Sequence, residues 1–328
     1  MSKKNKPIRA KLIANPGAGD VLKIAKRIEL VSRYLLDDGL KVDVALAHPK
    51  KEAIPIARKA IKDGYDVVIA MGGDGTLGAV IRGIAGSKVK LGIIAAGTEN
   101  DIARSLGIPE DLKEACALIA SGHTRKLDLG QVSTRKRKKF YFFMLTAIGL
   151  TATLFPHIKG FPEGNFSGIK DAVMTFLKFD SKPTVYLTLD GESKIEVETM
   201  LVTVANTPIM GAKNLVAPDA SMEDGLLDIA VYPGFSKAEL LSYFLKTAHE
   251  GSTPDKTIQR YRARKIKVKS SPKLDVAAEG ILLGKGTARI KILPGALWVL
   301  APEPGTGAEK PLEETAQDLP EPVSPAHS

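Results

Sequence analysis

The chain has 328 residues, of which 44% are hydrophobic and 26% charged, and it carries a net charge of +10. That length suits two domains with cores of their own, and the composition excludes a disordered or fibrous protein. A lone cysteine, Cys116, excludes a disulfide framework and a cysteine-ligated metal site; beside Ala115 and Leu118 in an apolar helical pattern it is buried helix filler.

The basic start, Met1 to Lys6, is followed by an apolar stretch that Arg9 and Lys11 interrupt, so no signal peptide is expected and the chain reads as cytosolic. Ile8 to Ala14 alternates as a strand and runs into Asn15-Pro16-Gly17-Ala18-Gly19, ahead of a helical stretch from Val21 to Leu36. A strand near Lys41 to Leu46 and a helix from Lys50 to Lys62 follow. Val67 to Met71 is short, apolar and bounded by Asp66 and glycines, the pattern of a fully buried parallel strand.

That strand ends in Gly72-Gly73-Asp74-Gly75-Thr76. Without a Cβ, the glycines can take positive φ and bring backbone N–H groups close to a polyphosphate. Thr76 is placed as the N-cap of the next helix, whose positive end would face the same anion. Asp74 beside phosphates calls for an intervening cation or for ribose hydroxyls, although a tight turn with a solvated Asp explains the same residues. A further strand, Lys90 to Ala95, ends in Gly97-Thr98-Glu99-Asn100-Asp101 before helical segments Ile102 to Leu106 and Asp111 to Ala120. Alternation of this kind implies a doubly wound parallel sheet, with its polar strand-end loops gathered on one edge as a nucleotide crevice.

From Asp128 onward closely spaced strands replace the alternation: Thr184 to Leu189, the Asp190-Gly191 turn, Ile195 to Thr203, Leu227 to Tyr232 and Ile266 to Val268, with a helix around Lys237 to Thr247. They predict an antiparallel β-sandwich. Phe140 to Ile158 is too short and too interrupted for the ~20 apolar residues of a membrane span, and is expected to be a buried strand leading into a short helix. Residues 301–328 hold six acids against Lys310 and six prolines, a disordered appendage of net charge −5 that leaves the body at +15. The excess is concentrated in Arg135 to Lys139 and in Arg260, Arg262, Arg264, Lys265, Lys267 and Lys269. Anionic lipid headgroups suit such patches, and solvated strand faces explain them as well. Nucleic acid is not an expected partner, because no zinc spacing, helix-turn-helix or aromatic RNA-binding pattern occurs. The five histidines form no pair at metal-ligand spacing.

Asn15-Pro16 with Gly19, then Gly72 to Thr76, Gly97 to Asp101, Ala217-Pro218-Asp219-Ala220, Asp224-Gly225-Leu226-Leu227-Asp228 and Ile292 to Leu297, in this order and at this spacing, resemble the diacylglycerol kinase catalytic-domain family. That family includes bacterial lipid kinases, sphingosine kinases and ceramide kinases and shares its nucleotide fold with the NAD kinases. The resemblance spans the chain up to about Pro302. It implies ATP-dependent phosphorylation of a lipid hydroxyl such as that of diacylglycerol, with Mg2+, by an enzyme that is cytoplasmic and peripherally membrane-associated. ATP would be held by Asn15, Gly19, Gly72, Gly73, Asp74, Gly75, Thr76, Gly97, Thr98, Asn100 and Asp101. The implied organisation is a nucleotide-binding α/β domain of residues 1–127 plus a returning strand at 290–300, and a lipid-acceptor sandwich of residues 128–289. A homodimer is compatible with it.

In such enzymes an acidic residue near the C-terminal motif takes the proton from the acceptor hydroxyl, and here the family's Asp-Gly-Glu falls on Glu279-Gly280-Ile281. Glu279 is therefore the candidate base, and the second acid is an isoleucine. Gly78-Ala79 stand where lipid kinases usually place Asn-Glu, and Asp20 stands where a lysine often follows the first loop. Asp224 matches the position of a structural Mg2+, with backbone oxygens of Ser221 and Leu226 as companions; an Asp-Gly turn explains these residues without a metal. Two alternatives stand beside the active kinase: a nucleotide- or lipid-binding homologue with weakened catalysis, and an NAD kinase-like enzyme.

Overall fold

Four apolar hexapeptides, β1 (Arg9–Ala14), β2 (Lys41–Leu46), β3 (Val67–Gly72) and β4 (Lys90–Ala95), form a parallel sheet in the order β2-β1-β3-β4 in the computed structural model. The structure describes residues 7–16, 21–48, 50–158, 168–179, 182–208, 217–250, 255 and 257–304. β3 is buried at every position, as a strand covered on both faces must be, whereas β2 lies at the edge and is mostly exposed.

Helices α1 (Val21–Asp37) and α5 (Leu112–Ser121) cover one face, where Val31, Leu35, Cys116 and Ile119 cluster with Leu12 and Ile69. Helices α2 (Ala53–Lys62) and α3 (Asp74–Ile84) cover the other, where Ala57, Val80 and Ile84 cluster with Ile13 and Val68. A short helix, α4 (Asp101–Ser105), follows β4. Asp111 caps α5 by accepting the N–H groups of Lys113 and Glu114, and Gly122 ends that helix in the left-handed conformation. Burial pushes the Cys116 thiol up to about 12, so it stays protonated and unreactive as packing filler.

The antiparallel strands are β5 (Thr124–Thr134), β6 (Phe140–Phe142), β7 (Leu145–Gly149), β8 (Thr184–Leu189), β9 (Ser193–Ala205), β10 (Leu227–Pro233), β11 (Gln259–Ala263), β12 (Lys265–Ser271), β13 (Asp275–Ala278), β14 (Ile281–Lys285) and β15 (Ala288–Leu300). One layer runs β6-β5-β15-β12-β8 and the other β14-β13-β7-β9-β10-β11. Strand β9 belongs to both, because Ser193–Glu198 pair with β8 and Leu201–Ala205 with β7. Between the layers Phe142, Val185 and Leu187 cluster with Val202, Val204, Ile229 and Val276, a sandwich core. The second layer's outer face, with Ala147, Leu201, Tyr232 and Ala277, is covered by α6 (Leu150–Ile158) and α8 (Lys237–Glu250), and α7 (Ile169–Lys178) packs on α6. The protein is thus a doubly wound α/β unit joined to an antiparallel sandwich.

Some expectations shift. The Phe140 to Ile158 stretch supplies two strands and a helix rather than one strand and a helix. The Phe142 ring lies over Gly130, where a Cβ would come within 2.0 Å of it, so β6 pairs with β5 and the chain breaks before β7. Among the described residues no helix is long and apolar enough to cross a membrane. Of the acidic appendage, residues 301–304 are described, with the Glu303 carboxylate 2.8 Å from the His123 ring, and the rest lies outside the described residues.

The two halves share β15. Its first residues pair antiparallel with β12, its last, Trp298 and Val299, run parallel to Lys90 and Leu91 of β4, and β5 follows it along most of its length. Pairing with β5 breaks between Leu293 and Leu297, where Gly295 takes φ +57°. Asp128, 2% exposed, fills that break. Its two carboxylate oxygens accept the N–H groups of Gly295 and Gly225, each at 2.7 Å, and its own N–H donates to the Met222 carbonyl at 2.7 Å. The buried Asn206 amide donates to the Asp128 and Phe143 carbonyls, extending the network toward β7. Asp128→Ala leaves two buried N–H groups without acceptors, and chemical denaturation should show a loss of about 2–4 kcal/mol.

Candidate active site

Because β1, β3 and β4 are neighbours running the same way, their C-terminal ends lie side by side on one rim. There the Asn15 N–H donates to the Met71 carbonyl at 3.2 Å and the Ala96 N–H to the Gly72 carbonyl at 3.1 Å. The structure therefore brings together Asn15, Gly72 to Thr76 and Gly97 to Asp101; Gly19 lies outside the described residues.

The glycines are required for space rather than for positive φ. Gly72, Gly73, Gly75 and Gly97 are absent from the left-handed region, and Gly73 is extended at φ −87°, ψ −176°. A Cβ on Gly97 would stand 2.4 Å from the Gly73 Cα, and one on Gly72 would stand 2.8 Å from the Thr76 Cβ. The two loops thus touch backbone to backbone. The residue that does take the left-handed conformation is Asn100, at φ +54°, and its side chain closes the second loop by accepting the Gly97 N–H at 2.9 Å and donating to the Gly97 carbonyl at 3.0 Å.

Thr76 is not the N-cap. Helix α3 starts after Gly73, so Thr76 sits buried inside the first turn with its N–H donating to the Gly73 carbonyl. Asp74, at the first helical position, is free to reach sideways, and its carboxylate accepts the N–H groups of Asp101 at 3.1 Å and Ile102 at 2.9 Å. A carboxylate among anion-binding loops is thereby explained without a cation, because it serves the orphan N–H groups that start α4. Gly75 and Thr98 stay exposed at the rim, while Asp101 is buried and Arg104 contacts its carboxylate at 3.2 Å.

Glu279 sits with Gly280 in the two-residue turn between β13 and β14, both at positive φ. Its Oε1 accepts the N–H groups of Met144 at 2.8 Å and Leu145 at 3.2 Å, and its own N–H donates to the Leu145 carbonyl. Its Oε2 points to α3, 3.8 Å from where a Cβ on Gly78 would stand. Burial raises this carboxyl above the usual carboxylate range, the two N–H groups and Arg82 pull it back, and Asp74 pushes it up again. Glu279 and the glycine loops are thus held by the same helix. Ile281 turns toward the sandwich core, so no second acid stands beside Glu279 in the turn.

The residues matched to a structural cation do not fit one. The Asp224 Oδ1 accepts the Leu226 N–H at 2.9 Å and Oδ2 is paired with Arg262, whose guanidinium also contacts Asp228 at 3.3 Å. The Arg262 guanidinium stands where the ion's charge would be needed. Among the described residues no group of three or more His, Cys, Asp or Glu side chains is placed to hold a metal. Sequence reasoning passed over Asp128, Asn206 and Arg82. A carboxylate inside the apolar run Leu127 to Leu129 was the available signal for the first, since an acid there requires buried donors.

A doubly wound sheet with abutting glycine loops is here joined to an antiparallel sandwich that brings one carboxylate to the flank of α3. Residues 9–132 match the diacylglycerol kinase catalytic domain, and residues 161–301 match the YegS C-terminal NAD kinase beta sandwich-like domain. The chain is thus similar over both of its parts to proteins that carry a diacylglycerol kinase catalytic domain. Curated relatives include the diacylglycerol kinases of Mycobacterium tuberculosis, 28% identical over 89% of this chain and 95% of that protein, and of Staphylococcus aureus, 28% identical over 90% and 92%. A crystal structure of a diacylglycerol kinase from Bacillus anthracis superposes with a TM-score of 0.70 at 22% identity, covering 92% of this chain and 99% of that one, and shares the fold.

Gly97→Ala tests the loop contact. Its Cβ would meet backbone, which cannot swing aside, so thermal or chemical denaturation should register a loss of about 1–3 kcal/mol.

Proposed function

We propose that this protein is a lipid kinase that transfers the γ-phosphoryl group of ATP to the hydroxyl of a lipid such as diacylglycerol. The observation that carries the reading is that one helix, α3, begins at the joined glycine loops and one turn later faces the Glu279 carboxylate. The match of residues 9–132 to the diacylglycerol kinase catalytic domain supports phosphotransfer, and the names of the relatives support a lipid acceptor.

The cradle fits a polyphosphate. Where Gly73 and Gly97 touch, any side chain would fill the approach, and the N-terminal end of α3 adds its partial positive charge. Asn15, Gly72 to Thr76 and Gly97 to Asp101 would hold ATP there. When bound, the nucleotide with its Mg2+ supplies an activated phosphoryl group whose charge the metal offsets. Asp74 and Asn100 keep the two loops in register. Glu279 accepts the proton from the acceptor hydroxyl, its Oε1 anchored by two backbone N–H groups and its Oε2 directed toward α3. Since only the ionised carboxylate is a base, turnover falls as pH drops through the Glu279 pKa, which lies above the ordinary carboxylate range.

Action at a membrane surface is part of the proposal. Arg135 to Lys139 form an exposed basic turn between β5 and β6, and Arg260, Arg262, Arg264, Lys265 and Lys269 are exposed on β11 and β12 and between them. On α7, Val173, Met174 and Leu177 are also exposed, flanked by Lys170 and Lys178. The burial of Ile281 favours a second reading, a nucleotide binder with weakened transfer.

Glu279→Gln separates the two. The amide still accepts both N–H bonds, so MgATP binding by calorimetry should persist while labelled phosphate transfer to lipid falls by roughly 10²-fold or more. The raised pKa means that the folded state favours the neutral acid, so ionisation at higher pH costs stability. Accordingly the Gln protein should melt at or above the wild-type temperature at pH 8, and the difference should vanish near pH 4. ATP binding with no transfer by the wild type to any lipid selects the second reading.

A further inference from the structure

Two departures from the lipid-kinase pattern, Gly78 and Glu279, lie near each other and near Arg82. Gly78 and Arg82 are four residues apart on α3, and so share one side of the helix. A Cβ on Gly78 would stand 3.2 Å from the Arg82 Nη1 and 3.8 Å from the Glu279 Oε2. The guanidinium and the carboxylate therefore both lie close over Gly78, where a side chain would crowd them. An asparagine at 78, which lipid kinases usually carry, would fill that space. The Phe140 ring supports the other side of Arg82, with the guanidinium carbon 5.1 Å from its centroid.

We propose that Arg82 is a positioning residue for phosphoryl transfer: admitted by Gly78, its guanidinium orients and charge-balances the Glu279 carboxylate. The inference rests on the lipid-kinase reading of Glu279 as base. Around that carboxylate stand Arg82 and Asp74 from α3 and the backbone N–H groups of Met144 and Leu145 from the entry to β7, while Arg137 from the β5–β6 turn repels Arg82. Of these groups Arg82 is the cation that acts on Glu279, which is one methylene longer than the usual Asp. The changed residues thus compensate one another rather than mark decay of the site.

The test is a carbon-13 titration of protein labelled at its glutamate carboxyls, with the Glu279 resonance assigned by its loss in Glu279→Gln. Arg82→Leu should raise the Glu279 midpoint by about one pH unit or more, since a nearby cation is removed. Arg82→Lys, which keeps the charge, should return it most of the way, and the acid limb of lipid phosphorylation should move in step. If Arg82→Leu fails to fold, Arg82→Gln carries the same expectation. A folded, MgATP-binding leucine or glutamine variant with an unmoved midpoint overturns the proposal, as does a lysine variant that titrates like leucine. The titration needs no turnover, so a wild type that phosphorylates no lipid would sink the lipid-kinase reading and leave this measurement decisive for Arg82.

Discussion

Everything at the rim depends on two backbones being allowed to touch. Gly73 and Gly97 close the distance between the β3 and β4 loops to a point where no side chain fits. Asp74 makes the contact rigid, because its carboxylate is committed to the first N–H groups of α4 and cannot swing into the anion's place. The acid among the glycines is therefore the residue that ties the two loops together.

The sandwich is tied to this rim by two devices of different kinds. Strand β15 is a covalent splice, antiparallel to β12 at its start and parallel to β4 at its end, and Asp128 fills the break in its pairing with hydrogen bonds to Gly225 and Gly295. The second device is the β13–β14 turn, which carries Glu279 onto the flank of α3 and anchors it to the amides before β7. One carboxylate supports the joint and the other lies on the flank of α3, and both are held by backbone N–H groups. Because these donors do not depend on side-chain rotamers, each acid is fixed at small entropic cost.

The parallel half and most sandwich strands were legible from the sequence, since buried strands and glycine-rich ends leave short, strong signals such as Val67 to Gly73. The start of β5 at Thr124, α7 and the β13–β14 pair were not, because their apolar runs are short and their pairings lie far along the chain. At the site the motif residues were legible but their duties were not. The glycines answer to close approach rather than positive φ, Thr76 to packing rather than capping, and Asp224 to Arg262 rather than a cation.

By itself the sequence determined the alternation of strands and helices, the rim loops and the family resemblance, because these depend on local conformation and on periodic burial. Tertiary structure alone decided that Asp74 serves α4, that Asp128 bridges three segments, and that Gly78, Arg82 and Glu279 share one space. Such pairings span tens to hundreds of residues, and a carboxylate's partner is set by which donors the folded backbone brings within hydrogen-bond reach.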